Sequence, residues 1–141
     1  MRRLLLYFDG LGLLDEVDVI APYNGQRRAI QMRISSEKRL SRIRINTVDS
    51  YQGREKDYII FSCVRSNNHG NIGFLRDERR HNVAMTRAKR RLIVAGNSEV
   101  FLFESSWRPQ VNGFRGRCVI CTGQPGHRRQ FQPRTVNTCL L

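Results

Sequence analysis

The sequence predicts an α/β fold with a largely parallel sheet. Three observations carry this: a short apolar stretch followed by a helix signal, a nearly continuous β-rich run, and a second such run preceded by another helix signal. In chain order, Leu4 to Phe8 is an apolar stretch stopped by Asp9, too short for a membrane span or a signal-peptide core. Val17 to Ala21 is a short strand candidate ended by Pro22, and Asn24 can cap a helix through Arg27, Ala29, Ile30 and Ile34. Ile43, Ile45 and Thr47 alternate with Arg44, Asn46 and Val48, the pattern of a half-buried strand. Tyr58 to Val64 (YIIFSCV) is apolar enough for a central strand covered on both faces. Asp77 can cap a helix running to Arg91 through Val83, Ala84 and Ala88, and Leu92 to Ala95 forms another buried strand. In such sheets ligands sit at the carboxyl ends of the strands, which directs attention to Pro22 to Gln26, Val48 to Lys56 and the helix entered at Asp77.

Composition narrows the partner. The 141 residues hold 25 Lys plus Arg against 12 Asp plus Glu, a net charge of +13. Of the 25, 22 are arginine, whose planar guanidinium suits bidentate contact with phosphate. A polyanion is therefore the expected partner; the alternative is a basic surface that serves solubility alone. The charge divides unevenly. Residues 1–104 hold 19 basic and 12 acidic side chains, a net +7, and residues 105–141 hold six basic and no acidic ones. That second segment also contains Pro109, Pro125 and Pro133 and little periodicity, so it reads as a flexible basic tail behind a single domain at 1–104. A soluble, intracellular protein is expected, with no membrane partner.

Two segments are dense in functional groups. The loop VDSYQGREKD, Val48 to Asp57, can bring backbone close to a ligand at Gly53, accept sugar hydroxyls at Glu55, and, with Thr47, donate to phosphate from Ser50. A solvated turn would use the same residue types. The segment DERRHNVAMTRAKRR, Asp77 to Arg91, places Ala84, Arg87 and Arg91 at i, i+3 and i+7, so that Arg87 could reach a ligand or neighbouring domain; a solvated charged face is the alternative.

Four segments together carry a resemblance. APYNGQR at 21–27, TVDSYQGREKDYIIFSCVRS at 47–66, IGFLRDERR at 72–80 and NVAMTRAKRRLIVAGN at 82–97 have the order and spacing of the second RecA-like domain of superfamily 1B helicases. They are most similar to the nonsense-mediated-decay and senataxin-like RNA/DNA helicases. The resemblance covers roughly residues 17–104 and implies a RecA-like, P-loop-NTPase-type domain there; the basic tail, read from composition as disordered, lies beyond it.

It also implies roles. Arg87, within Thr86, Arg87 and Ala88, resembles the arginine finger that reaches the γ-phosphate across the interdomain cleft. Gly53 and Glu55 resemble the nucleotide-side residues of the QGxE motif, with Glu55 expected on the ribose. Thr47 and Ser50 resemble the nucleic-acid side of the same loop, and Pro22, Tyr23 and Gln26 a segment that holds the backbone of single-stranded RNA or DNA. The implied cofactors are ATP and Mg²⁺, shared with an N-terminal RecA-like domain as partner.

The departures are equally specific. None of the eleven glycines precedes a lysine, so this sequence contains no GxxxxGK[ST] phosphate cradle. Leu13, Leu14, Asp15 and Glu16 imitate a Walker B ending, but they directly precede the strand leading to APYNGQR, where the family has a helix-to-strand turn. The chain alone is therefore expected not to hydrolyse ATP, and a non-catalytic module binding single-stranded nucleic acid is the alternative function. Cytoplasmic and nuclear residence both fit the family. In the tail, Cys118, Cys121, His127 and Cys139 could be read as zinc ligands, but the spacing of two, five and eleven intervening residues matches no compact knuckle, and free thiols are expected; no metal site is assigned.

Overall fold

The computed structural model describes residues 1–63, 77–96 and 118–122. Five parallel strands form one sheet in the order β2-β1-β3-β4-β5: β1 Val17–Ile20, β2 Ile45–Asn46, β3 Lys56–Cys63, β4 Ala88–Gly96 and β5 Cys118–Thr122. Helices α1 (Arg2–Gly10) and α2 (Asn24–Ile34) precede β1 and β2, and α3 (Glu78–Met85) precedes β4. The expected α/β class is thus the observed one.

Alternation along the strands builds two cores. Val17 and Val19 of β1, Ile60 of β3 and Ile93 of β4 join Leu4, Leu5 and Phe8 of α1 and Ile30 and Ile34 of α2 on one face. Ile20, Ile59, Phe61, Leu92 and Val94 join Val48, Tyr51, Ala84 and Met85 on the other. Both faces are covered, which is why the sequence of β3 reads as an almost unbroken apolar run. The chain leaves β1 through α2 to reach β2 on one side, then returns to pair β3 on the other side of β1. The carboxyl ends of β1 and β3 therefore flank a topological switch point.

Several local expectations change. The predicted helix from Asp77 to Arg91 is cut in two: α3 stops at Met85, and Lys89, Arg90 and Arg91 lie on β4. The Ala84, Arg87, Arg91 stripe therefore does not exist. Lys, Arg and Ala favour helix intrinsically, but parallel pairing of Ala88 with Lys56 and of Arg91 with Tyr58 overrides that preference. The register slips by one residue there, the signature of a bulge at the entry to β4. The strand expected over 43–48 shortens to Ile45–Asn46, because the Thr47–Ser50 hydroxyl bonds begin a turn.

Asn24 is the first residue of α2 rather than its cap, which is Tyr23. Asp77 does cap α3, its carboxylate accepting from the backbone N–H groups of Arg79 and Arg80. The apolar stretch at Leu4 to Phe8 belongs to α1. Leu14–Glu16 is a 3-10 turn leading into β1, the connection expected there in place of a Walker B strand end. Within the segment read as a tail, Cys118–Thr122 pairs with β4 as the fifth strand. His127, Cys139, Val64 to Ser66 and residues 72–76 lie outside the described residues.

One buried polar pair stands inside the second core. The Tyr51 hydroxyl donates to Asp18 Oδ2 at 2.8 Å, with Tyr51 fully buried and Asp18 6% exposed. Burial first, then the hydrogen bond to Asp18 and its charge, hold the Tyr51 phenol well above the ordinary tyrosine value of 10. The unfolded chain ionises this phenol above about pH 10 while the folded chain keeps it neutral. Its contribution to stability is complete below pH 10 and falls away as pH rises beyond it. Alkaline denaturation curves should show this slope for the native chain and lose it in Tyr51→Phe; identical slopes would contradict the assignment.

Candidate functional site

The residues singled out by sequence fall at opposite edges of the sheet. At the carboxyl edge, Pro22 and Tyr23 leave β1 and lead into α2, while Thr47 and Ser50 follow β2. The Ala21 N–H donates to the Asn46 carbonyl at 2.9 Å, which fixes the two exits side by side. Pro22 is buried and Tyr23 half-buried. The N-terminus of α2 has no side-chain cap and no acidic residue in its first turn, so its backbone N–H groups and positive dipole end lie at this edge.

Thr47 and Ser50 bond each other reciprocally. The Thr47 N–H donates to Ser50 Oγ at 2.9 Å, the Ser50 N–H to Thr47 Oγ1 at 3.3 Å, and the two hydroxyls lie 2.9 Å apart. This capping exchange opens the 3-10 turn Asp49–Tyr51. Gln26 turns inward: its Nε2 donates to the Ser62 carbonyl at 2.6 Å and to Ser62 Oγ at 2.7 Å. Those bonds join the first turn of α2 to the end of β3 across the switch point, and both amide hydrogens are used. Gln26 Oε1 is buried with no partner among the described residues.

Gly53, Glu55 and Arg87 lie at the other, amino edge, where the chain enters β3 and β4. The segments singled out by sequence therefore divide between the two edges instead of gathering at the carboxyl ends. Gly53 has φ +74 with open space where a Cβ would sit, so the left-handed backbone conformation itself favours glycine at this turn. The Lys56 N–H donates to the Arg87 carbonyl at 3.1 Å, bringing the end of the QGRE loop against the end of α3. Glu55 is exposed, with Lys89 Nζ 3.9 Å from Oε2.

Arg87 is aimed by the helix it follows. Its Nε donates to the Val83 carbonyl at 2.9 Å and its Nη2 to Thr86 Oγ1 at 3.0 Å, while Thr86 Oγ1 donates to the Asn82 carbonyl at 2.8 Å. A cation on the last carbonyls of a helix is favoured by the dipole. Nη1 has no partner among the described residues, leaving one face of the fork for an anion.

Chemically, a guanidinium can bind phosphate and a carboxylate can accept hydrogen bonds from sugar hydroxyls. Among the described residues no three His, Cys, Asp or Glu side chains come together as a metal site. Nor is any helix among them long and apolar enough to cross a membrane.

The single loop from Thr47 to Lys56 thus connects the two edges. It is tied to α3 by an ion pair, Asp49 Oδ1 to Arg80 Nε at 3.1 Å, which motif reading did not single out. Nor did that reading find Tyr51 and Asp18, although a lone carboxylate inside VDVIA was a usable signal, since a charge in a buried strand needs a partner.

Comparison with known proteins adds an independent observation. A family model described as an AAA domain matches residues 2–99. A regulator of nonsense transcripts 1 from Dictyostelium discoideum is 40% identical over 135 residues, covering 92% of this chain and 10% of the relative. The ATP-dependent helicase NAM7 of Saccharomyces cerevisiae is 44% identical over 114 residues, 77% of this chain and 12% of the relative. The DNA polymerase alpha-associated DNA helicase A of the same organism is 54% identical over 86 residues, 61% and 13% respectively. The chain therefore spans about a tenth of the length of the curated relatives it matches.

Proposed function

Because this chain belongs to the nonsense-mediated-decay and senataxin-like family of superfamily 1 helicases, with an AAA domain over residues 2–99, we propose that it works as the second RecA-like half of an ATP-dependent RNA or DNA helicase. The observation that carries this reading is the placement of two residue sets on opposite edges of one sheet, joined by one loop. Arg87, held by Val83 and Thr86, presents Nη1 to the γ-phosphate of ATP bound on a P-loop partner domain. Glu55 accepts ribose hydroxyls, beside Gly53, whose left-handed turn sets its approach. When bound, Mg²⁺–ATP supplies the phosphoryl group and the metal charge; the residues of this chain orient it and offset charge in the transition state.

At the carboxyl edge, the α2 N-terminus, Tyr23, Thr47 and Ser50 grip the single strand. Backbone amides and hydroxyls hold phosphate, and the Tyr23 ring is the candidate for stacking. Pro22 shapes the exit, and Gln26 locks α2 to β3 so that the grip has a rigid base. Closure of the partner domain on ATP would then alter the strand contacts through the shared loop.

The test combines the chain with the P-loop domain of a relative. ATP turnover stimulated by single-stranded nucleic acid should appear only in the mixture, and strand binding by the chain should weaken steeply with salt as phosphate contacts release counterions. Hydrolysis by the chain alone at the rate of the mixture would sink this division of labour. Salt-insensitive binding would sink the electrostatic account of strand contact. Strand binding with no turnover in the mixture would favour the non-catalytic module.

A further inference from the structure

We infer that the hydrogen bond between Tyr51 and Asp18 is a positioning latch: it holds the middle of the Thr47–Lys56 segment to the central sheet, so that movement at the strand-binding end reaches the nucleotide end instead of dissipating in the loop. The inference rests on the functional reading above and adds a residue pair to it.

The segment is fastened at only a few points among the described residues. Thr47 and Ser50 bond each other to close a turn at its start, Asp49 reaches Arg80 on α3, and the Lys56 N–H reaches the Arg87 carbonyl at its end. Tyr51 is the hub between them. Its N–H donates to the Val48 carbonyl at 3.1 Å, its own carbonyl accepts from the Arg54 N–H at 3.2 Å, and its side chain is fully buried. From Tyr51 to Glu55 the chain passes through only Gln52, Gly53 and Arg54.

A phenylalanine would fill the same apolar site. Instead a phenol and a carboxylate are buried together among Ile20, Ile59 and Phe61. Apolar packing tolerates sliding and rotation, whereas a 2.8 Å hydrogen bond to a strand residue sets both the depth and the rotation of the ring. Asp18 lies on β1 opposite Ile59 of β3, so the anchor is a buried residue of a paired interior strand. With the ring fixed, a displacement of the 3-10 turn turns the Gly53 bend and hence Glu55. With the ring free, the same displacement is absorbed by ring motion.

The experiment is residue-resolved amide hydrogen exchange on the 141-residue chain, with and without an oligouridylate of about 15 nucleotides, within the usual site sizes for single strands. In the native chain, exchange should slow at the Tyr51 N–H and also at the Arg54 and Lys56 N–H groups, by about tenfold, within the usual range of coupling between sites. Tyr51→Phe should keep the effect at Tyr51's position and lose it at Arg54 and Lys56. Because that variant strands a buried carboxylate, Tyr51→Phe combined with Asp18→Val replaces both polar partners by apolar groups; it should keep the native melting temperature and still lose transmission. Asp18→Asn keeps an acceptor and should restore transmission.

Slowing that reaches Arg54 and Lys56 in the double variant overturns the latch. So does slowing that stops at the Tyr51 N–H in the native chain, while leaving strand binding intact. An oligonucleotide that changes no amide overturns the functional reading and the latch with it.

Discussion

Arg87→Ala is expected to slow nucleic-acid-stimulated ATP hydrolysis by about 10³ to 10⁵, the range for an arginine finger in P-loop enzymes, when the chain is paired with a P-loop domain. On the proposed role, the geometry accounts for an effect of that size. The guanidinium is already committed at Nε and Nη2 to the end of α3, so little rotamer freedom is lost when Nη1 meets charge that develops in the transition state. Arg87→Lys should restore only a small part of the rate. A lysine keeps the charge but has no fork with which to hold Val83 and Thr86 while reaching outward. Single-turnover kinetics with saturating ATP separate this loss from binding; unchanged turnover in Arg87→Ala would remove the residue from the reaction.

Phe61→Ala is expected to destabilise the domain by about 3–5 kcal/mol, measured by urea unfolding followed by circular dichroism. Phe61 is fully buried on β3, in register with Ile20 of β1 and Val94 of β4, and it belongs to the core that also holds Tyr51, Ala84 and Met85. A cavity there opens beneath both the loop and α3, and rigid strands on either side limit collapse. Domains of this kind hold about 5–15 kcal/mol in all, so the variant should be partly unfolded under mild stress. A cost under about 1 kcal/mol would mean that the second core is not packed as described.

How legible each feature was follows from how local its cause is. The parallel α/β class was readable because strands covered on both faces are mostly apolar, as Val17, Val19 and Ile20 of β1 and Ile59 to Phe61 of β3 are. The capping role of Asp77 was readable because a side chain bonding N–H groups two and three residues ahead needs no distant partner. The end of α3 was not readable. Residues 87–91 are good helix formers, and only pairing with β3, some thirty positions away in sequence, converts 88–91 into strand. β5, an edge strand, was similarly obscured, whereas β2 was read as a strand and differs only in being shorter.

The candidate site divides the same way. Arg87, Glu55 and Gly53, and Pro22, Tyr23, Gln26, Thr47 and Ser50, were named from the order and identity of motifs, which reside in the chain itself. Which of them share an edge was decided by topology, because a loop that follows one parallel strand and precedes the next necessarily crosses the full height of the sheet. Sequence alone thus determined the fold class, the family resemblance, the basic charge and the residue types available for phosphate and ribose. Tertiary structure alone decided that Gln26 bonds Ser62, that Arg80 meets Asp49 and that Tyr51 rests on Asp18. The physical reason is that these contacts join residues 31 to 36 positions apart, and only the strand order brings them within bonding distance.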